Sequence, residues 1–515
     1  MPKNEKGIVT MKTGKVKGTY RKGLYTFKGI PYAAPPVGKR RWLPPAPAGE
    51  WSGVRPMQSF GNAAAQQDTG PGITPDLNVT ESRSEDCLYL NVWSPGLDDA
   101  RRPVLVWIHG GAFTMGSGAQ AMFDGNNLAR RGDAVIVTIN YRLGVMGFLR
   151  LNEITGGGIP ATGNEGLLDH IAALQWVRDN IAAFGGDHDN VTVFGESSGA
   201  MSIGCLMAMP SARGLFQKAI LQSGAAHTAT TSDEATRLAA QRLEILGLDA
   251  KDADVLQALP VERLLAADAE LAAMIARQGG RQRITLSLPV IDGKTLLARP
   301  IGAIRRGSAE QIPVLVGTNL DEWRLIGLMD QDLPGLDESG LAKRCRYYMP
   351  EAQVTEMIKT YRNARARRGN GTSPPEIFTE IQTHQMFRIP AIRLIEAQRR
   401  FQSAYNYLFT WKSAVMGGVL GACHVLETGF VFGTHNDSFC GSGPVADRLA
   451  RNIQDAWLAF ARTGEPGAKS IGKWPPYGER RVTMLLGEDC HTEEAPYDEE
   501  RRAWDTVPDE FIGQI

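Results

Sequence analysis

The sequence predicts an α/β fold: one large, mostly parallel central sheet flanked by helices and interrupted by helical cap insertions. Three observations predict it. Short β-branched runs recur along the chain, each ending in Gly, Asn or Ser. Between two of them lies a stretch with apolar residues at helical spacing. Two long segments rich in Ala, Arg, Leu and Glu then break the series of strands.

The runs are PVLVWIHGG from Pro103, AVIVTINY from Ala134, VTVFGESSG from Val191, KAILQSG from Lys218 and IPVLVGTN from Ile312. Continuous apolar runs of this length suit strands buried on both faces. Between the second and third, GLLDHIAALQWVRDNIAAF places Leu167, Leu168, Ile171, Leu174, Ile181 and Phe184 on one helical stripe, and Gly185-Gly186 stops it. Strand, helix, strand in that order indicates a parallel sheet covered by helices. Segments 229–280 and 331–400 read as helical insertions capping the carboxyl ends of the strands, where open α/β sheets place ligands. No internal repeat, low-complexity tract or Pro/Ser linker divides the chain, so a single domain over residues 1–515 is expected.

Composition narrows the function. The 515 residues are 43% hydrophobic and 22% charged, an ordinary globular balance that argues against disorder and coiled coil. Lys+Arg and Asp+Glu both total 56, so no net charge favours nucleic acid as a general partner. No apolar run approaches the roughly 18 residues of a membrane span. The polar, lysine-rich start MPKNEKGIVTMKTGKVKG has no apolar signal segment. Cys87, Cys205, Cys345, Cys423, Cys440 and Cys490 are scattered without CxxC spacing, which supports neither a zinc site nor a disulfide scaffold. A cytoplasmic protein with free thiols, no metal and no cofactor is expected, and the sequons at Asn78, Asn190 and Asn370 then carry little weight.

VTVFGESSGAMS contains G-x-S-x-G as Gly195-Glu196-Ser197-Ser198-Gly199. The pentapeptide alone is weak, but here a strand precedes it and a helix can follow. That context makes a nucleophile elbow, a strained strand-to-helix turn that exposes the serine hydroxyl. A nucleophilic serine needs backbone amides aimed at the developing oxyanion. His109-Gly110-Gly111-Ala112-Phe113, directly after a strand, offers the amides of Gly111 and Ala112, joined by that of Ser198.

The chain order serine, acid, histidine of such hydrolases removes His109, His170 and His188 as general base. His227 leaves little room for an intervening acid, His384 lies in a cap helix, and His491 lies in an acidic stretch. His424, in the glycine-flanked GACHVLETGFVFG, is the best candidate and His435 its nearest rival. The acid should end a strand, and GTNLDEW supplies Asp321 and Glu322, between which position does not choose. GSGAQA at Gly116 formally matches G-x-G-x-x-A, but it lies beyond its strand's end, so nucleotide binding is discounted. YRNARARRG, from Arg362 to Arg368, reads as a solvated helix end.

Taken together, FKGIPYAAPPVGKRRWLPP, SEDCLYLNVW, WIHGGAF, INYRLGVMGFL, GNEGLLDHIAALQWVRDNIAAFGGD, VTVFGESSGA, ILQSG, GTNLDE, CHVLETGFVFG and WPPY resemble the type-B carboxylesterase family. This is the cholinesterase-like branch of the α/β-hydrolases, and the match runs nearly end to end, most similar to the bacterial p-nitrobenzyl esterase subgroup. The resemblance implies Ser197, Glu322 and His424 as catalytic residues and Gly111, Ala112 and Ser198 as oxyanion donors. It implies a buried supporting position for Ser223, and Glu196 is assigned to the same supporting layer. Arg41 and Glu85, both in family motifs, are expected to form a structural ion pair.

Three positions depart from the family: Ser198 replaces the usual Ala, Trp323 replaces the usual Gly, and no cysteine precedes Cys87 to form the disulfide of secreted relatives. The resemblance implies hydrolysis of small carboxylic esters with short to medium acyl chains, through an acyl-enzyme, by a monomer or small homo-oligomer. Carbamate, amide or lactone hydrolysis by the same residues is the alternative. A non-catalytic binding protein on this fold is a more distant one.

Overall fold

The computed structural model describes residues 7–68, 70, 72–249, 252–278, 283–513 and 515. Residues 1–6, from the polar start, and residues 250, 251, 279 and 280, from the first expected insertion, lie outside the described residues. The principal sheet has 11 strands. In chain order they are β1 (Thr19–Arg21), β2 (Leu24–Pro31), β3 (Tyr89–Ser94), β4 (Arg102–Ile108), β5 (Val135–Ile139) and β6 (Gly186–Glu196). They continue with β7 (Lys218–Gln222), β8 (Val314–Asn319), β9 (Ala404–Phe409), β10 (Val482–Leu486) and β11 (His491–Glu494). Across the sheet the order is β1-β2-β3-β5-β4-β6-β7-β8-β9-β10-β11. From β5 to β10 every neighbouring pair is parallel. Antiparallel strands close both edges.

All five apolar runs of the sequence become central strands. Their alternation divides the core into two layers, because successive side chains of a strand point to opposite faces. Val104, Val106 and Ile108 of β4 join one apolar cluster with Leu167, Leu174, Ile203, Ile304 and Leu394. Leu105 and Trp107 of the same strand join the other, with Leu449, Ile453 and Trp457 of the helix Pro444–Thr463. The antiparallel strands β1, β2, β3 and β11 and the parallel strands β9 and β10 match none of those apolar runs. AYNYLF of β9 and VTMLL of β10 are short and mix in Asn, Tyr and Thr, so they lack a long β-branched run.

The expected helix over residues 166–184 runs as Glu165–Asn180 and a 3₁₀ turn Ile181–Phe184, stopped by Gly185 at φ 79°. The insertions hold the helices Ser232–Leu246, Ala253–Ala258 and Val261–Arg277, then Glu338–Cys345, Glu351–Arg367 and Pro374–Thr383. Leu243 and Leu264 of the first group join an apolar cluster with Trp42, Val145 and Leu149 from outside the insertion, and the second group has a cluster around Tyr361 and Ile381. The helix Ile389–Gln398 departs from the expected cap: Ala391, Leu394 and Ile395 pack it into the sheet's own core.

The arginine run also differs from expectation. Arg365 is buried and paired with Glu380, and Arg368 pairs with Glu380 at 2.6 Å and also with Glu500. The carboxylates come from other helices, Glu500 from one far along the chain, which a solvated helix end does not anticipate. Arg41 and Glu85 do form their ion pair, with Nε donating at 2.7 Å. All six cysteines are free. Among the described residues, no helix is long and apolar enough to cross a membrane.

Candidate active site

β6 ends at Glu196, and the helix Ser198–Ala208 begins two residues later. Ser197 makes the turn between them with φ 54° and ψ −125°, a conformation that costs energy for a side chain bearing a Cβ. Its amide donates to the Gln222 carbonyl at 2.9 Å, which holds the turn against the end of β7. Glu196 and Ser198 are buried, whereas Ser197 is only partly so. Close packing here demands glycine. A Cβ on Gly199 would collide with the Ile108 carbonyl, so the helix could not approach β4.

The segment His109–Phe113 follows β4. Gly111, Ala112 and Phe113 have φ of 111°, 53° and 62°. Such a run turns consecutive amides inward to form an anion-binding concavity. Among the described residues, the Gly111 and Ala112 amides have no hydrogen-bond acceptor. The Ser198 amide is one of the orphan donors of its helix's first turn.

Neighbours fix this segment. The Tyr141 hydroxyl donates to the His109 carbonyl at 3.0 Å, and the Gly144 amide to the Phe113 carbonyl at 2.7 Å. Gln66 grips Gly116 at both its amide and its carbonyl, each at 2.9 Å. No motif marked Gln66 in the sequence. The amides of Gly116, Ser117 and Gly118 are occupied by Gln66, Gln120 and Asn140, so GSGAQA has none of these donors to offer a phosphate.

β8 delivers the acid. Glu322 is fully buried. Its Oε1 accepts the Asn319 amide at 2.7 Å, and its Oε2 lies 2.7 Å from His424 Nδ1. Asp321 turns the other way, accepting the Ala422 amide at 3.0 Å and pairing with Arg324 at 3.1 Å. Of the two carboxylates that position left open, Glu322 is the one that meets His424. His424 sits in the loop before the helix Thr428–Phe432, with Phe387 packed on its ring at 4.6 Å between centroids.

The other histidines are elsewhere. His435 pairs with Asp447 at 3.0 Å, His227 lies 3.5 Å from Asp509, and His384 meets the Tyr361 hydroxyl at 2.6 Å.

His424 Nε2 lies 3.1 Å from Oε1 of Glu196, the residue before Ser197. Burial opposes the imidazolium, but the carboxylates of Glu196 and Glu322 outweigh it and hold His424 above its ordinary range. Burial pushes the Glu196 carboxyl upward.

Ser223 is buried at the end of β7 with φ 51°, and its amide donates to the Gly317 carbonyl at 2.9 Å. Trp323 is buried in the core, and its amide donates to Thr383 Oγ1 at 3.1 Å. Leu325 and Ile326 pack against the two core layers, whereas Met115 is 40% exposed.

The comparisons with known proteins place the chain in a family. The model of the carboxylesterase family matches residues 5–504. The chain belongs to the carboxylesterase family. It is 38% identical to the para-nitrobenzyl esterase of Bacillus subtilis (strain 168), covering 96% of this chain and 98% of that protein. It is 35% identical to the phenmedipham hydrolase of Pseudarthrobacter oxydans, covering 92% and 94%. Among solved structures, a Geobacillus stearothermophilus carboxylesterase superposes with a TM-score of 0.85 at 38% identity, covering 97% of this chain and 100% of that one. A thermophilic p-nitrobenzyl esterase superposes with a TM-score of 0.86 at 37% identity, covering 96% and 99%. The fold is that of the α/β-hydrolases, and the protein is a carboxylic ester hydrolase.

Glu427, in the H-x-x-E of the histidine loop, was not singled out by the sequence. It is fully enclosed, beside Asn319 and Gln222. Only its spacing from His424 in that motif signalled it.

Proposed function

We propose that this carboxylesterase cleaves small esters of short to medium acyl chain through a covalent acyl-enzyme on Ser197. The Ser197 hydroxyl attacks the ester carbonyl while His424 Nε2 takes its proton. The C–O bond to the alcohol breaks as His424 returns that proton to the leaving oxygen. A water molecule, deprotonated by His424, then attacks the acyl carbonyl and releases the acid and free Ser197. Glu322 fixes the imidazole tautomer through Nδ1 and stabilises its charge. The amides of Gly111, Ala112 and Ser198 receive the oxyanion; one such donor is worth about 2.7–4 kcal/mol of barrier. Glu196, 3.1 Å from His424 Nε2, and the buried Ser223 are assigned supporting roles around the acid–base pair.

The observation that carries this reading is the 2.7 Å contact between His424 Nδ1 and a fully buried Glu322, with His424 Nε2 3.1 Å from Glu196, the residue before the strained Ser197 turn. In this reading the chain is one domain, its two helical insertions cap the site, and it works in the cytoplasm as a monomer or small homo-oligomer without cofactor or metal. Initial rates on p-nitrophenyl acetate, butyrate, octanoate and palmitate, with Ser197→Ala alongside, test it. Activity should peak at a short or medium chain, acetate to octanoate, and vanish in the variant. A variant as active as the wild type removes Ser197 from the mechanism, and a palmitate optimum overturns the chain-length assignment.

A further inference from the structure

Three segments far apart in sequence must keep a common register for this chemistry: the Ser197 turn after β6, the Glu322 turn after β8 and the His424 loop. Gln222, the last residue of β7, bonds directly to the first and to Glu427 at the end of the His424 loop, and through Glu427 it reaches the second. Its carbonyl accepts the Ser197 amide at 2.9 Å. Its side-chain amide donates to Glu427 Oε1 at 3.0 Å, and its side-chain oxygen accepts Trp457 Nε1 at 3.1 Å. Glu427 Oε2 in turn accepts Asn319 Nδ2 at 2.6 Å. That same nitrogen holds the carbonyl of Cys423, the residue before His424, at 2.6 Å. The Asn319 backbone amide holds Glu322 Oε1 at 2.7 Å.

Every member of this chain is buried, and Gln222 and Trp457 are fully inaccessible. Water therefore cannot substitute for a lost partner, and each bond constrains the next. Trp457 belongs to the long helix Pro444–Thr463, whose apolar stripe is locked into the core, so the chain is anchored at its far end.

We propose that Gln222 is a positioning residue for ester hydrolysis: its backbone holds the nucleophile turn, and its side chain, through Glu427 and Asn319, holds the acid–base pair. Gln222 touches neither substrate nor the reacting atoms, and it acts only by fixing their relative placement. The proposal rests on the Ser197–His424–Glu322 reading above.

The test compares Gln222→Leu, Glu427→Gln and the exchange Q222E/E427Q in the full-length enzyme on p-nitrophenyl butyrate. The exchange puts an acceptor at position 222 and a donor at 427. It keeps an acceptor for Trp457 Nε1 and another for Asn319 Nδ2. Each single variant should lose about 10- to 100-fold in kcat with KM little changed, as misplacement of catalytic groups does. The exchange should recover most of kcat. A role in stability alone would lower the melting temperature while leaving kcat per folded molecule at the wild-type value.

Wild-type kcat in folded Gln222→Leu overturns the proposal, as does an exchange variant that folds yet stays as slow as the single ones. If Gln222→Leu does not fold, the exchange decides. Ser197→Ala runs in parallel. If it remains active, the reading of the triad has failed; if it is dead while the Gln222 variants match the wild type, only the positioning role has failed.

Discussion

In the proposed mechanism Ser197, His424, Glu322 and Glu196 set the chemistry residue by residue. A general base must be neutral to accept a proton, so activity rises with pH through the pKa of His424. Glu196 and Glu322 raise that pKa against the effect of burial, so the ascending limb of kcat/KM should lie above the unperturbed imidazole value of about 6.5. Glu196→Gln removes one negative charge 3.1 Å from Nε2 and should move the limb to lower pH. A pH–rate profile checks this, and an unmoved or raised limb contradicts it. Glu322→Gln should cost about 10⁴-fold in kcat, because an amide can neither hold the required tautomer nor stabilise the imidazolium. Single-turnover rates measure this, and a loss below tenfold would remove Glu322 from the mechanism.

At the scale of elements, the strand ends place the site and buried polar contacts fix the connections between them. Arg142, just after β5, makes a bidentate pair with Asp169 of the helix Glu165–Asn180, at 2.8 and 2.7 Å, with side-chain exposures of 2% and 0%. Breaking one partner of such a pair leaves an uncompensated buried charge. Asp169→Asn should therefore cost about 3–5 kcal/mol, seen as a lower urea midpoint with unchanged slope. An unchanged midpoint would mean that Arg142 finds another partner.

The elements the sequence revealed are those with period or punctuation: five buried apolar runs, one amphipathic helix and the glycine-framed turns at Gly111 and Gly199. Its failures have a common cause. Gln66, Asn319 and Arg368 are polar residues whose roles depend on partners remote in sequence, and no local pattern encodes such a partner. Glu322 over Asp321 was likewise undecidable from position, since only the backbone direction after Asn319 sends one carboxylate to His424 and the other to Ala422 and Arg324.

At the scale of the whole molecule, one sheet with two core layers carries the ends of β4, β6, β7 and β8 to the same rim. Gly111, Ser197, Gln222 and Glu322 all follow or end those strands. The near end-to-end match with other carboxylesterases reflects this shared frame, whereas the second helical insertion keeps an apolar cluster largely its own.

The central claim is that Ser197 is the nucleophile. Its most direct test is to treat the enzyme with diethyl p-nitrophenyl phosphate and map the adduct by peptide mass spectrometry. One diethylphosphoryl group per chain, on Ser197, with activity lost in proportion to its incorporation, is the predicted result. Full inactivation with the adduct on another residue, or full labelling of Ser197 with activity retained, would contradict the claim.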